Sequence, residues 1–228
     1  MNRKYFALIG LLGCTAQAIA QESPPVLPVE ETPYHLPVFS NHLVTLLNVS
    51  IPSGATAGYH RHALDSVALV VAQAKTRSQV LGEVAKEREN LIGTLSYSPY
   101  GQRSLVHNVT NIDAGPVRVI LVELLEPEPS GTTAATRAVA YKVELDNERV
   151  RAWRLRLGPG QQAPVINQSA PGMRLVVESG QLIESQPGHP DRAMDLKTGD
   201  FFWQDAGSSR SLRNAGSTPI ELIEFELK

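Results

Sequence analysis

The strongest constraint on this 228-residue chain is a recurring series of short, β-prone segments. From about residue 42 onward, runs of β-branched and apolar residues alternate with breaks at Gly, Pro, Asn and Asp. The runs are Val44 to Ile51, Ser66 to Val71, Val117 to Leu125, Arg151 to Leu157, Arg174 to Val177 and Ile220 to Leu227. Many short strands separated by frequent turns predict an all-β fold built as a sandwich or barrel.

A linker-like segment divides the chain into two halves of similar length. Residues 126–138 (EPEPSGTTAATRA) are rich in Pro, Ser, Gly, Thr and Ala. The two halves resemble each other, and such a repeat indicates two similar folding units. Residues 21–40 carry five prolines and predict an extended arm. The predicted organisation is a signal peptide over 1–20, the arm over 21–41, one unit over 42–127, a linker over 128–138 and a second unit over 139–228.

The N-terminus has the pattern of a secretory signal peptide. Arg3 and Lys4 precede a short apolar run over residues 5–12, and a small-x-small cleavage site ends at Ala20. The expected location is therefore periplasmic or secreted. The tetrapeptide LLGC, which ends at Cys14, also resembles a bacterial lipobox, so a membrane-anchored lipoprotein remains the alternative.

Composition excludes several classes of function. The net charge is -2 and no basic stripe is present, so we expect no nucleic-acid partner. No segment outside the leader is long and apolar enough to cross a bilayer. Cys14 is the only cysteine, so the folded part has neither a disulfide nor thiolate chemistry.

Histidines at defined spacings carry the candidate chemistry. Gly54 is followed by five residues and then by His60-Arg61-His62. Residues two apart on a strand project to the same face, so His60 and His62 present two imidazoles to one space. Because Gly and Pro make tight turns between short strands, His107 is expected to return from an opposite strand and face them.

These spacings resemble the two motifs of the cupin superfamily, Gly-x5-His-x-His-x3-4-Glu-x6-Gly and Gly-x5-Pro-x-Gly-x2-His-x3-Asn. The matching residues are Gly54, His60 and His62 in the first motif and Gly93, Pro99, Gly101, His107 and Asn111 in the second. The combined spacing is far more specific than an isolated His-x-His. The resemblance covers residues 42–127 and implies a bicupin, with two tandem jelly-roll-like β-barrels behind the arm.

Two departures from the family pattern affect the expected site. The interval from Gly101 to His107 is three residues longer than usual, which predicts a wider turn. The family's glutamate ligand is missing, and Ser66 or Val67 occupies its place. Asp65 lies one residue earlier and would point away on a regular strand, so we expect it to orient a neighbour. A fourth-ligand role for Asp65 stays open if the turn before it is irregular.

The resemblance implies one divalent transition metal, Fe, Zn, Cu or Ni, held by His60, His62 and His107. Three imidazoles leave positions open for water, O2 or substrate. Aromatic and cationic residues near the motifs are the candidate contacts to a small-molecule ligand, namely Tyr97, Tyr100 and Arg103. The remaining histidines are interpreted as structural or surface residues, namely His35, His42 and His189.

The second half repeats the motif frame without its ligands. Ile166 and Gln168 stand where the two first-motif histidines belong, and Arg210 replaces the second-motif histidine. An aliphatic side chain, an amide and a guanidinium do not form a metal site, so the second unit is predicted to be degenerate. For Arg210 we expect a surface or interdomain salt bridge, with anion binding as the alternative.

The leading hypothesis is an exported, metal-dependent enzyme acting on a small molecule, such as a three-histidine oxygenase or an isomerase or lyase. No general base stands out in the sequence. One alternative is a non-catalytic bicupin that binds a small molecule or a metal, and another is a structural protein whose barrels mediate assembly. The resemblance also implies a homodimer as one mode of assembly.

Overall fold

The computed structural model describes residues 23–125 and 136–228. The predicted signal peptide, the candidate lipidation at Cys14 and most of the predicted linker lie outside the described residues. Strands account for 57% of the described structure and no α-helix occurs in it, which confirms the all-β prediction. Among these residues, no helix has the length and hydropathy needed to span a membrane.

The first unit contains ten strands in two facing sheets. The strands are β1 (Leu27–Pro28), β2 (His35–Ser40), β3 (Val44–Ile51), β4 (His60–His62), β5 (Ser66–Ala72), β6 (Ala74–Val80), β7 (Lys86–Asn90), β8 (Leu95–Ser98), β9 (Leu105–Asn111) and β10 (Val117–Leu124). One sheet has the order β1-β4-β9-β6-β7, and the other has the order β2-β3-β10-β5-β8.

The proline-rich arm supplies an edge strand to each of these sheets. β1 pairs in parallel with β4, and β2 pairs antiparallel with β3. Edge positions tolerate proline because one side of an edge strand needs no ladder hydrogen bond. A 3-10 turn at Val29–Glu31 links the two strands, and the buried Val29 packs into the core of the unit. The arm therefore connects the two layers of the first unit.

The second unit repeats this topology with nine strands. They are β11 (Tyr141–Asp146), β12 (Val150–Leu157), β13 (Ile166–Asn167), β14 (Gly172–Glu178), β15 (Gly180–Ser185), β16 (Arg192–Leu196), β17 (Phe201–Gln204), β18 (Ser209–Asn214) and β19 (Ile220–Leu227). The sheet orders β11-β12-β19-β14-β17 and β13-β18-β15-β16 match the orders in the first unit. In the described ranges no strand pairing joins the two sheets of a unit, so each unit is a two-layer sandwich.

The two units share an apolar junction. In β3, Leu47 and Val49 face the core of the first unit, whereas Val44 and Leu46 face the second unit. This follows from the two-residue period of a strand, which sends alternate side chains to opposite faces. β3, β5 and β10 pack in this way against β12, β14 and β19. Burial on both faces explains why Ser66–Ala72 reads as a nearly continuous apolar run.

The asparagine of the second motif has the same structural task in both units. The Asn111 side-chain amide donates hydrogen bonds to the carbonyls of Ile51 and Gly115, each at 2.8 Å. In the second unit Asn214 donates equivalent bonds to the carbonyls of Leu157 and Thr218, at 2.9 and 2.8 Å. Both asparagines are fully buried. The motif frame is thus retained in the second unit because it fastens the turn after β9 and after β18.

Candidate metal centre

Two neighbouring strands bring the three motif histidines together. His60 and His62 lie at the ends of β4 with buried side chains, and Arg61 between them is exposed. β4 pairs antiparallel with β9, and His60 lies directly opposite His107 in this register. Residues directly opposite in a ladder share a face, so all three imidazoles point to the interior of the first unit.

The geometry of the three rings suits a single ion. Ring centroids are 5.0 Å apart for His60 and His62, 4.6 Å for His60 and His107, and 5.1 Å for His62 and His107. One nitrogen from each residue lies within 4.8 Å of the other two. The Nε2 atoms of His62 and His107 are 3.2 Å apart. Two tetrahedral ligands at about 2.1 Å from one zinc ion lie about 3.4 Å apart, so little movement is needed.

Unpartnered nitrogens show that these residues fit a metal. His60 Nδ1 donates to the carbonyl of Gly58 at 2.9 Å, which leaves the lone pair on Nε2. Among the described residues, His60 Nε2 and His62 Nδ1 are buried without a hydrogen-bond partner. Of the two, His60 Nε2 is the nitrogen free to coordinate, because His62 faces His107 through its Nε2. A buried polar atom without a partner is costly, and coordination of an ion removes that cost. His107 is oriented by Ser78, whose Oγ lies 3.3 Å from Nδ1.

Burial keeps the imidazoles neutral. Desolvation lowers the pKa of His60. Desolvation, together with the neighbouring imidazoles, lowers the pKa of His62 and of His107 to about 3. A neutral imidazole has the free lone pair that a metal requires, whereas imidazolium has none. At neutral pH the three residues are therefore in the form that binds a metal.

His35 lies against the cluster, although the sequence motifs gave no reason to include it. Its side chain is buried, and its ring centroid is 4.8 Å from that of His60. Its Nδ1 donates to the carbonyl of Pro33 at 3.0 Å, and burial lowers its pKa to about 4. The interpretation of His35 as a structural or surface residue missed this proximity, because only the docking of β2 on β3 brings it there.

Asp65 lies just before β5 and acts on its neighbours. Its carboxylate accepts hydrogen bonds from the Tyr97 hydroxyl at 2.7 Å, from the Gly101 backbone N–H at 2.9 Å and from Arg149 Nη1 at 3.1 Å. It is not among the groups close enough to share an ion with the histidines. Asp65 therefore fixes the turn after β8 and ties it to the second unit.

The three candidate ligand contacts have different surroundings. The Tyr100 ring centroid is 5.4 Å from that of His62, so Tyr100 borders the cluster. Tyr97 packs at the junction between the units, and its hydroxyl group donates a hydrogen bond to Asp65. Its side chain therefore faces away from the histidines. Arg103 is exposed in the wide turn before β9. Of the three, the structure brings only Tyr100 beside the histidines.

Glu123 is a buried carboxyl group that the motif search did not identify. It lies on β10 directly opposite Ser66, one of the two candidates (Ser66 or Val67) for the motif's glutamate position, and is 4% exposed. Burial, together with the neighbouring carboxylate of Glu30, raises the pKa of Glu123 to about 7. The sequence did indicate an interior position for Glu123. The two-residue period of a strand places it on the same face as Val117 and Leu121, which lie in the core of the unit.

The corresponding place in the second unit holds buried charges. Ile166 lies opposite Arg210 in the pairing of β13 with β18, as His60 lies opposite His107. Arg210 Nη2 donates to Gln168 Oε1 at 2.9 Å. The prediction of a surface or interdomain salt bridge for Arg210 is wrong, because its side chain is fully buried inside the unit and lies 3.4 Å from Glu224.

Three arginines and three glutamates form this buried charge cluster. Its members are Arg137, Arg174, Arg210, Glu184, Glu224 and Glu226. Arg174 contacts Glu224 and Glu184, each at 2.8 Å. Burial alone would raise the pKa of Glu224, but Arg174, Arg210 and Arg137 hold it at about 2. In the described part of the chain, the only group of histidines and acids with metal-binding geometry is in the first unit.

Comparisons with known proteins identify the fold. No family model matches the chain, and no curated protein matches it. AerE from Microcystis aeruginosa superposes with a TM-score of 0.57 at 12% identity, over 86% of this chain and 98% of AerE. Oxalate decarboxylase from Lactobacillus farciminis gives 0.57 at 12% identity, over 82% and 77% of the two chains. Salicylate 1,2-dioxygenase from Pseudaminobacter salicylatoxidans gives 0.57 at 16% identity, over 81% and 70%.

Because these sequence identities are only 12% to 16%, the structural similarity is evidence for a shared fold alone. It agrees with the duplicated topology and with the motif frame that both units share. The chain therefore has the bicupin fold of the cupin superfamily.

Proposed function

We propose that this protein is a metal-dependent bicupin enzyme that acts on a small molecule through its first unit. His60, His62 and His107 hold one divalent transition metal in this proposal. The observation that carries it is the convergence of three neutral imidazoles, with nitrogens within 4.8 Å of one another and a buried, unpartnered Nε2 on His60. Such a donor set suits iron, copper, nickel or zinc.

The residues around the cluster have different roles in the proposed site. The Gly58 carbonyl fixes the tautomer of His60, and Ser78 orients His107. Tyr100 borders the cluster at His62 and is the proposed contact to the substrate. When bound, the metal supplies Lewis-acid chemistry, and with iron or copper it also supplies activation of O2. Salicylate 1,2-dioxygenase and oxalate decarboxylase share the fold, so oxygenation and decarboxylation of small carboxylates are the first reactions to assay.

A specific observation also favours a second candidate, a bicupin that binds a metal or small molecule without turnover. Ser66 or Val67 stands at the motif's glutamate position, and Asp65 is occupied by three hydrogen bonds. The centre thus has one ligand fewer than the motif implies. A bound metal without activity in the assays above would favour this candidate.

We also propose export to the periplasm or beyond, on the strength of the leader over residues 1–20, with lipidation at Cys14 as the alternative. Homodimerisation through sheet edges is the proposed assembly. Mass measurement of the mature chain distinguishes cleavage after Ala20 from lipid attachment. A mature chain that still carries the leader would contradict export.

Metal content tests the proposed function directly. Elemental analysis of protein purified from its native compartment should show about one equivalent of transition metal per chain. A His60→Ala/His62→Ala variant should lose it, and an Ile166→Ala/Gln168→Ala variant, altered at the matching positions of the second unit, should keep it. Absence of metal in the wild type, even after reconstitution with each of the four ions, would overturn the proposal.

A further inference from the structure

A cavity of about 360 Å³ lies between the N-terminal arm and the end of the first unit where β4 and β10 end. The arm contributes residues 26–30, and the body of the unit contributes Thr45, Arg61, Leu64 and Glu123 among others. Most of the lining is aliphatic. Glu30 and Arg61 are exposed, whereas Glu123 is 4% exposed. The volume falls within the range of small-molecule sites.

Glu123 is a buried carboxyl group without a partner. In the described part of the chain it makes neither a hydrogen bond nor an ion pair, and the carboxylate of Glu30 acts on it as a like charge. An ionised carboxylate buried in this way is unfavourable unless a positive group approaches it. Burial accordingly raises the pKa of Glu123 to about 7. Nothing in the metal centre uses this group.

The second unit shows how the same position is satisfied there. Glu226 lies opposite Gly172 on β14 and opposite Arg151 on β12, as Glu123 lies opposite Ser66 on β5 and Thr45 on β3. Glu226 is fully buried, and it accepts hydrogen bonds from Arg137 Nη2 at 3.0 Å and from Ser169 Oγ at 2.7 Å.

The two units differ in the charge that the segment before the first long strand brings to this carboxyl group. Arg137 precedes β11, just as the arm precedes β2, and its side chain is 1% exposed. The second unit thus supplies a cation to its buried carboxylate from the segment before its first strand. The corresponding segment of the first unit instead presents Glu30, a second acid.

We propose that the arm cavity binds a small organic cation, with an ammonium or guanidinium group that takes beside Glu123 the place that Arg137 has beside Glu226. A short apolar portion of the ligand packs against the aliphatic lining, including Leu64. The charged groups that face the cavity are Glu123, Glu30 and Arg61. This site does not depend on the proposed metal chemistry.

Calorimetric titration with n-butylguanidinium tests the proposal. The neutral isostere n-butylurea has nearly the same shape without the charge, so it should bind at least about tenfold more weakly. A Glu123→Gln variant should lose at least about tenfold in affinity for n-butylguanidinium. Its metal content should equal that of the wild type, which separates failure here from failure of the proposed function.

Two further measurements keep the test decisive. Leu64→Trp narrows the cavity without touching the carboxyl group and should also weaken binding, and thermal melting checks that both variants are folded. Below pH 7, binding should release a proton, because the cation favours the ionised form of Glu123. Equal binding of n-butylurea, undiminished binding to Glu123→Gln, or no binding of n-butylguanidinium to the wild type at about 10 mM would overturn the proposal.

Discussion

The two units have the same topology but different residues in their interiors. At matching places in the ladders, the first unit has His60 opposite His107, and the second has Ile166 opposite Arg210. Asn111 and Asn214 fasten both frames in the same way. The frame and the interior chemistry therefore vary independently, which is why a cupin fold alone does not identify a reaction.

The interiors also differ in how their buried carboxyl groups are paired. The second unit neutralises its buried charges internally, because each glutamate of the cluster lies near an arginine. Among the described residues, His60 Nε2 and the carboxyl group of Glu123 in the first unit have no hydrogen-bond partner. A metal or cation bound in the first unit would supply a missing partner and stabilise that unit. The second unit already pairs its buried carboxylates, although Arg137 Nε, Arg174 Nη2 and Arg210 Nε have no hydrogen-bond partner among the described residues. The following predictions test this difference.

The largest effect is expected from breaking the buried charge cluster. Glu224→Ala leaves Arg174 and Arg210 without their shared carboxylate, so the free energy of unfolding should fall by about 3–5 kcal/mol. Urea denaturation measures this change. Glu87→Ala, which breaks the exposed pair with Arg77, is the matched control and should cost less than about 1 kcal/mol. Similar losses in the two variants would contradict the assignment.

Metal addition should stabilise the protein through the first unit alone. At a free concentration of about 100 times Kd, binding to the native state adds about 2.7 kcal/mol. The increase in Tm should vanish in His60→Ala/His62→Ala and persist in Ile166→Ala/Gln168→Ala. A stabilisation that survives loss of the histidines would place the metal elsewhere.

Acid should destabilise the metal-free protein through its buried histidines. Burial lowers the native pKa of His35 to about 4, so between pH 6.5 and 4 the unfolded chain binds a proton there that the native state does not. The free energy of unfolding therefore falls as pH falls, by up to about 1.4 kcal/mol per pH unit for one imidazole. His35→Gln should reduce the slope of stability against pH by about 1 kcal/mol per unit.

The exposed His189 is the control for that measurement, and His189→Gln should leave the slope unchanged. Glu224 of the second unit contributes little over most of this window, because its native pKa is held at about 2 and its stabilisation is lost only as pH falls below its ordinary pKa of 4.5. A slope that His35→Gln does not alter would contradict the neutral, buried state of that imidazole.

The smallest effect is expected from the ion pair that crosses the junction between the units. Arg149 reaches Asp65 across it at 3.1 Å with a side chain that is 23% exposed. Because the junction consists mainly of buried apolar side chains, Arg149→Ala should lower the free energy of unfolding by about 1 kcal/mol or less. Leu46→Ala removes one of those side chains and should cost about 2–5 kcal/mol. Chemical denaturation of the two variants compares the contributions, and a larger loss for Arg149→Ala would reverse the ranking.

Local pattern predicted much of the fold. Val44–Ile51 and Ile220–Leu227 are strands with the expected bounds, because alternation and β-branched residues act within one segment. The repeated topology was likewise visible in the repeated motif frame. Side-chain surroundings were predicted less well. Tyr97 is close in sequence to the second motif, but the two-residue period of β8 turns it toward the junction.

The sequence by itself determined the strand pattern, the duplication and the three histidines, since these depend on spacing along a short stretch of chain. The tertiary structure decided what meets those residues. Docking of the arm buries His35 against His60, and strand register places Glu123 opposite Ser66. Packing in the second unit likewise gathers Arg137 and Glu226 from distant segments. Such contacts join residues far apart in the chain, so no local spacing encodes them.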